Sequence, residues 1–92
     1  MEELQNKFTQ VADLVKKVKT QPSDEELLKL YGLFKQITVG DINIEKPSLL
    51  SFKAKAKYNA WYNLRGKKKI DCIQEYVLFA VEVIKKYGFK EN

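Results

Sequence analysis

Apolar residues recur at helical spacing along most of the chain. Leu4, Phe8, Val11, Val15 and Val18 follow one another at intervals of four, three, four and three, which puts them on one stripe of an amphipathic helix over about 3–19. Thr20-Gln21-Pro22 ends it. Ser23 with Glu26 three residues on is a capping-box pattern, and Asp24 and Glu25 favour the positive start of a second helix. That helix, about 24–39, carries Leu27, Leu30, Tyr31, Phe34 and Ile37 on one side.

Gly40-Asp41 opens an irregular stretch running to about Ser51, with Asn43 and Pro47 continuing the turn chemistry. A connection of about a dozen residues is long for a compact domain and points to a functional or spacing role. A third helix, about 52–65, places Phe52, Ala56, Ala60, Trp61 and Leu64 inward before Gly66 supplies a stop. Ile70, Ile73, Val77, Ala80, Val81 and Ile84 define a fourth over about 68–87, which Lys85 and Lys86 close favourably before Gly88. No stretch alternates apolar and polar residues as a half-buried strand does, so the fold class is all-α with four helices. The short links predict that helices 1 and 2, and helices 3 and 4, are antiparallel neighbours, and the long middle loop lets one pair cross the other.

Charge changes the picture more than composition does. The 92 residues are 45% hydrophobic and 32% charged, the balance of a globular domain, with a net charge of +5. From Lys46 to Lys69 there are eight bases (Lys46, Lys53, Lys55, Lys57, Arg65, Lys67, Lys68, Lys69) and no acid, leaving nine bases against twelve acids elsewhere. One contiguous stretch therefore holds the whole basic excess, which suits an anionic partner or, more plainly, a solvated basic face. The longest purely apolar run, Val77 to Val81, is far short of the roughly 20 residues needed to span a bilayer. The first residues lack the basic and then apolar pattern of a secretory signal, so the cytoplasm is the expected location.

The chain has no histidine, the commonest general base and zinc ligand, and its lone Cys72 reads as a small hydrophobe in a helix. No metal site and no catalytic residue are expected. Tyr31 and Lys35 lie four apart, as do Lys53 and Lys57, so each pair shares a helix face, while Lys55 points about 200° from Lys53 and should face solvent. Cations joined by aromatic rings suit a purine nucleotide, the cations meeting phosphates and the rings stacking on the base.

The run Tyr31-Gly32-Leu33-Phe34-Lys35-Gln36-Ile37-Thr38-Val39-Gly40-Asp41-Ile42-Asn43, followed by Pro47 and Phe52-Lys53-Ala54-Lys55-Ala56-Lys57-Tyr58-Asn59-Ala60-Trp61, closely resembles the signature of acyl-CoA-binding proteins. The likeness extends from Phe8 to Gly88 and includes Pro22-Ser23-Asp24-Glu25-Glu26 and Leu64-Arg65-Gly66. The resemblance implies a four-helix up-down-down-up bundle, one acyl-CoA-binding domain over residues 1–92. Its bowl-shaped site would hold the nucleotide head at the rim and the acyl chain in an apolar groove. Carried over by motif position, Tyr31, Lys35 and Lys57 would hold the 3′-phosphate and adenine end with Lys53 nearby. Tyr76 matches the family's tyrosine on helix 4 and Lys16 its lysine on helix 1. Tyr31, Gly32, Leu33, Phe34 and Lys35 would line the head-group site as a block.

The implied function is reversible binding of long-chain acyl-CoA by a carrier and buffer, with no cofactor beyond that ligand. A complete small bundle favours a monomer, no nucleic-acid partner is expected, and transient contact with a membrane surface is one reading of the lysine triplet Lys67-Lys68-Lys69. A rival reading is a basic helical adaptor that binds nucleic acid or anionic lipid through Lys46–Lys69. Phe34 stands where the family often has tyrosine, Tyr58 where it often has tryptophan, Ile37 where alanine is frequent, and Ser48 and Ser51 where Gly and Asp are frequent. Lys67-Lys68-Lys69 opposes the dipole of the fourth helix, so its start is either frayed or meets a further anion.

Overall fold

The computed structural model describes residues 2–48 and 51–89; the part of the expected middle loop at 49–50 lies outside them. Four α-helices form: α1 (Glu2–Leu14), α2 (Asp24–Thr38), α3 (Phe52–Tyr62) and α4 (Lys69–Tyr87). Among the described residues there is no strand, only an isolated bridge between Val18 and Phe89.

The helix ends follow local chemistry. At α2 the capping box is complete: Ser23 Oγ accepts from Glu26 N–H at 3.2 Å, and Ser23 N–H donates to Glu26 Oε1 at 2.9 Å. α1 is shorter than its apolar stripe. It tightens into a 3-10 turn at Val15–Lys17, and Val18 is extended at φ −66, ψ 147. There the Lys19 N–H donates to Gly88 O at 2.7 Å, which anchors the end of α1 on the end of α4. α3 likewise stops at Tyr62, and the chain uncoils through tighter bonds such as Leu64 N–H to Trp61 O and Lys67 N–H to Leu64 O, both 3.0 Å, around Gly66 at φ +79.

Neighbours settle the topology. Tyr31 meets Lys57 near the middle of α2 and α3 and, one turn further along both, Lys35 meets Trp61, so these helices run parallel. Gln36 meets Lys67 at one end of α2 and Glu26 meets Lys86 at the other, so α2 and α4 are antiparallel, while Phe8 against Tyr76 midway and Val18 beside Phe89 past the two C-terminal ends show that α1 runs parallel to α4. The order is up-down-down-up. The expected pairing of consecutive helices is corrected: the backbones pack as α2 with α4, α2 with α3 and α1 with α4. α4 carries the widest apolar face, and α1 and α2 both settle on it rather than on each other.

The core lies among α1, α2 and α4, built from Phe8, Ala12, Val15, Leu30, Leu33, Ile37, Cys72, Ile73, Tyr76, Ala80 and Val83. α3 adds only Trp61 as a fully buried side chain. Phe52, expected inward, is 84% exposed, because α3 rests on α2 alone and only a narrow strip of it is covered. Leu27 is also exposed rather than inward. At Gly32 the two backbones come so close that a Cβ would sit 2.6 Å from the Ala60 carbonyl oxygen; only glycine fits there.

Candidate functional site

Because α3 leans on α2 at Gly32 and Trp61, the first turns of the two helices leave a cleft between them. It encloses about 390 Å3 and is lined by Gln21, Asp24, Leu27, Leu28, Tyr31, Phe52, Lys53, Ala56 and Lys57. A smaller groove of about 240 Å3 lies on the other side of α2, lined by Val15, Lys16, Pro22, Leu27, Leu30, Tyr31, Phe34 and Tyr76. Tyr31 and Leu27 belong to both, so the tyrosine is a half-buried partition between two adjoining depressions.

Along the α2–α3 seam the four-residue spacing on each helix brings unlike groups opposite each other. Lys57 Nζ lies 5.4 Å from the centre of the Tyr31 ring, and one turn on Lys35 Nζ lies 5.6 Å from the Trp61 ring. Two parallel helices with the same period thus make a cross-braced ladder in which two ammonium groups each stand over an aromatic face. Lys53 stands one turn before Lys57 on the same cleft.

The far end of the seam is fastened by the turn that follows α2. Trp61 Nε1–H donates to the Gly40 carbonyl at 2.8 Å. The Asp41 carboxylate accepts from the Gly66 N–H and from Gln36 Nε2, each at 2.8 Å, and these bonds, the Gly66 N–H foremost, hold its carboxyl below the usual carboxylate range. The end of α2, the middle loop and the exit of α3 are thereby joined at one carboxylate, which fixes where the Lys35 and Trp61 rung sits.

Beneath the smaller groove Phe8, Phe34 and Tyr76 form an aromatic cluster, with ring centres 5.0 Å apart for Phe8 and Tyr76 and 5.8 Å for Phe8 and Phe34. Tyr76 is only 3% exposed, and burial pushes its phenol up to about 12, so at the groove floor it remains a neutral hydrogen-bond donor. Lys16, on the 3-10 turn, is exposed at the same groove.

The structure therefore brings together Tyr31, Lys35, Lys53 and Lys57 on one side of α2 and Lys16, Tyr31, Phe34 and Tyr76 on the other. It separates two residues from the expected block. Leu33 is 1% exposed in the core and Gly32 is taken up by the contact with Ala60, because five consecutive helical residues point around more than a full turn and cannot share one face. Lys55 is half-buried rather than turned fully to solvent; its alkyl stem is the part that tolerates cover. Of the lysine triplet, Lys67 pairs with Glu75 of the same chain, which raises its pKa, and its carbonyl accepts from Gln36 Nε2 at 3.3 Å, while Lys68 and Lys69 are exposed and no side chain caps the start of α4. Sequence reasoning missed Leu28 and Gln21 in the cleft and the role of Asp41. Gly40-Asp41 signalled a turn, but no local spacing announces a bond to Gly66.

Against known proteins, the family model described as Acyl CoA binding protein matches residues 5–80. The chain is 49% identical over 81 residues to acyl-CoA-binding protein homolog 1 of Caenorhabditis elegans, covering 88% of this chain and 94% of that protein. Among solved structures it resembles acyl-CoA-binding protein 2 of Oryza sativa, with a TM-score of 0.88 and 30% identity over 92% of both chains. It also resembles the acyl coenzyme A binding protein from yeast, with a TM-score of 0.73 and 44% identity, covering 87% of this chain and 93% of that one.

Proposed function

The chain belongs to the acyl-CoA-binding protein family, and we propose on that basis that it is a reversible carrier of long-chain acyl-CoA whose ligand lies across Tyr31. The observation that carries the placement is the cross-braced ladder above an apolar cleft: Lys57 on Tyr31, Lys35 on Trp61, with Leu27, Leu28 and Ala56 below. An ammonium standing over a ring face exchanges that contact for a phosphate oxygen, a stronger charge-assisted bond. Lys35, Lys57 and Tyr31 take the phosphate and adenine end, and Lys53 adds charge beside them. On the other side of the partition, Lys16 and the protonated Tyr76 phenol offer further donors to the head group. The acyl tail occupies the apolar part of the α2–α3 cleft, each shielded methylene worth about 0.8 kcal/mol at best.

No bond in the ligand is made or broken. This reading is supported by the lack of histidine in the sequence and by Cys72, a buried thiol whose pKa burial pushes up. The carrier works as a monomer in the cytoplasm and needs no metal or cofactor, and no described helix is long and apolar enough to cross a membrane. The adaptor reading is not favoured, because it gives the apolar cleft nothing to do.

Titration calorimetry with long-chain acyl-CoA, free CoA and free fatty acid in parallel tests the carrier. Affinity should fall in that order, since only the thioester engages both the cations and the cleft. The preference for acyl-CoA over CoA should persist in high salt, which screens the head-group charges and leaves tail burial nearly intact. If free CoA binds as tightly as its thioester, or a fatty acid displaces the thioester at equal concentration, the assignment is wrong. Hydrolysis of the thioester on incubation would likewise overturn the non-enzymatic reading.

A further inference from the structure

Among the described residues Phe52 is the most exposed large hydrophobic side chain, at 84%, and it stands at the first position of α3 on the lip of the cleft. Burying an aromatic ring is among the larger apolar gains open to a side chain, so leaving one in water is a cost the ligand-free protein carries. What surrounds the ring says what would cover it. The α3 lip continues as Lys53, Lys55 and Lys57, and Lys46 precedes it on the loop, with no acid between Lys46 and Lys69. The acid on this cleft, Asp24, stands on the opposite, α2 lip with Glu25 beside it. A protein partner would call for a contiguous apolar patch with few charges at its centre, and the neighbours of Phe52 along α3 are lysines. An exposed aromatic ring at the head of a helix on which lysine alternates with alanine suits the headgroup boundary of an anionic bilayer, where the ring seats among the upper acyl carbons and the ammonium groups stay at phosphate level.

Taking the carrier reading as the reason for docking, we infer that the α3 lip of the cleft is a docking element for anionic lipid surfaces, with Phe52 inserted and Lys53 and its neighbours on the lipid phosphates. Such docking sets the mouth of the cleft against the bilayer, so a tail leaves the lipid and enters between α2 and α3 with little apolar surface crossing water. Asp24 and Glu25 on the α2 lip are repelled by the negative surface, so the α3 lip leads and the docked protein tilts one way.

The test uses the ligand-free full chain and sedimentation with large unilamellar vesicles, either pure phosphatidylcholine or phosphatidylcholine containing phosphatidylserine. Binding should be stronger to the phosphatidylserine vesicles and weaken as salt is raised. Phe52→Ala should weaken it at least about tenfold, and Lys53→Gln about fivefold. Leu78→Ala, which removes an equally unpartnered side chain, 69% exposed on α4, should leave it unchanged. Thermal melts establish that each variant is folded. Three results would overturn the inference: no binding to phosphatidylserine vesicles at low salt, equal binding to both vesicle types, or binding that Phe52→Ala leaves intact and salt alone removes. Calorimetry with acyl-CoA in the absence of vesicles judges the carrier reading separately, so one can fail while the other stands.

Discussion

α3 and α4 are both laid against α2, yet they are held in opposite ways. α4 buries Cys72, Ile73, Tyr76, Ala80 and Val83, and its far end is tied by Lys86 and the Tyr87 hydroxyl to Glu26. α3 buries one tryptophan and otherwise leans on a glycine, with its polar fastening gathered at the Gly40-Asp41 turn. The α4 side holds most of the core and only the smaller groove, whereas the α3 side has the larger cleft and almost no core. On the proposed reading, stability and most of the binding fall to different seams of the same helix, and the side chains that look wasteful there, exposed Phe52 on α3 and half-buried Tyr31 on α2, both line the cleft between the two helices.

The sharpest break between the two seams should come from Ile73→Ala. Removing a core side chain of this kind costs about 2–5 kcal/mol, read as a lower denaturation midpoint, while the folded fraction still binds acyl-CoA nearly as before. On the other seam, Lys57→Ala should lower acyl-CoA affinity by about 2–5 kcal/mol if its phosphate partner is largely desolvated, and less if the rim is wet, with stability within about 0.5 kcal/mol. Lys55→Ala is the paired control and should change affinity little; equal losses in calorimetry at both positions would point to diffuse attraction rather than a built site. Gly32→Ala should affect both quantities. Its Cβ would meet the Ala60 backbone, so we expect about 1–3 kcal/mol of destabilisation from overpacking and weaker binding as α3 is pushed off its seat.

The smallest effect concerns pH and belongs to the α4 seam. Tyr87, Ser23 and Lys86 bring Glu26 from its ordinary value of 4.5 to about 2. Because the folded pKa is the lower one, the contribution is fully present above the unfolded value and is lost as pH falls from about 4.5 through 2. Acid titration of the denaturation midpoint should show this loss, and Glu26→Gln should flatten the curve in that window. A variant that kept the same acid slope would remove Glu26 from the account.

Much of this was legible in the chain because it is local. The stripes of α1, α2 and α4, the capping box at Ser23 and the pairing of Tyr31 with Lys35 and of Lys53 with Lys57 all follow from period and spacing. What was not legible depends on which helix stands opposite. Phe52 and Trp61 both read as inward on α3, and only the narrow footprint of α2 separates them. Leu33 and Phe34 are adjacent in a matching motif, but one fills the core and the other borders a groove, a distinction made by rotation about the helix and not by residue type. Asp41 shows the same limit across a gap of 25 residues to its Gly66 partner.

Trp61 is the only tryptophan in the chain, and its indole is shielded from water, hydrogen-bonded to Gly40 and faced by the Lys35 ammonium. An indole's emission responds to a charge above its ring and to the strength of its N–H bond. The protein therefore contains its own optical gauge at the end of the ladder: when a phosphate draws Lys35 off the ring, the colour or yield of that single emission should change, while its low quenching by aqueous iodide should not. The occupancy of the cleft could be followed in unlabelled protein, in real time, by light alone.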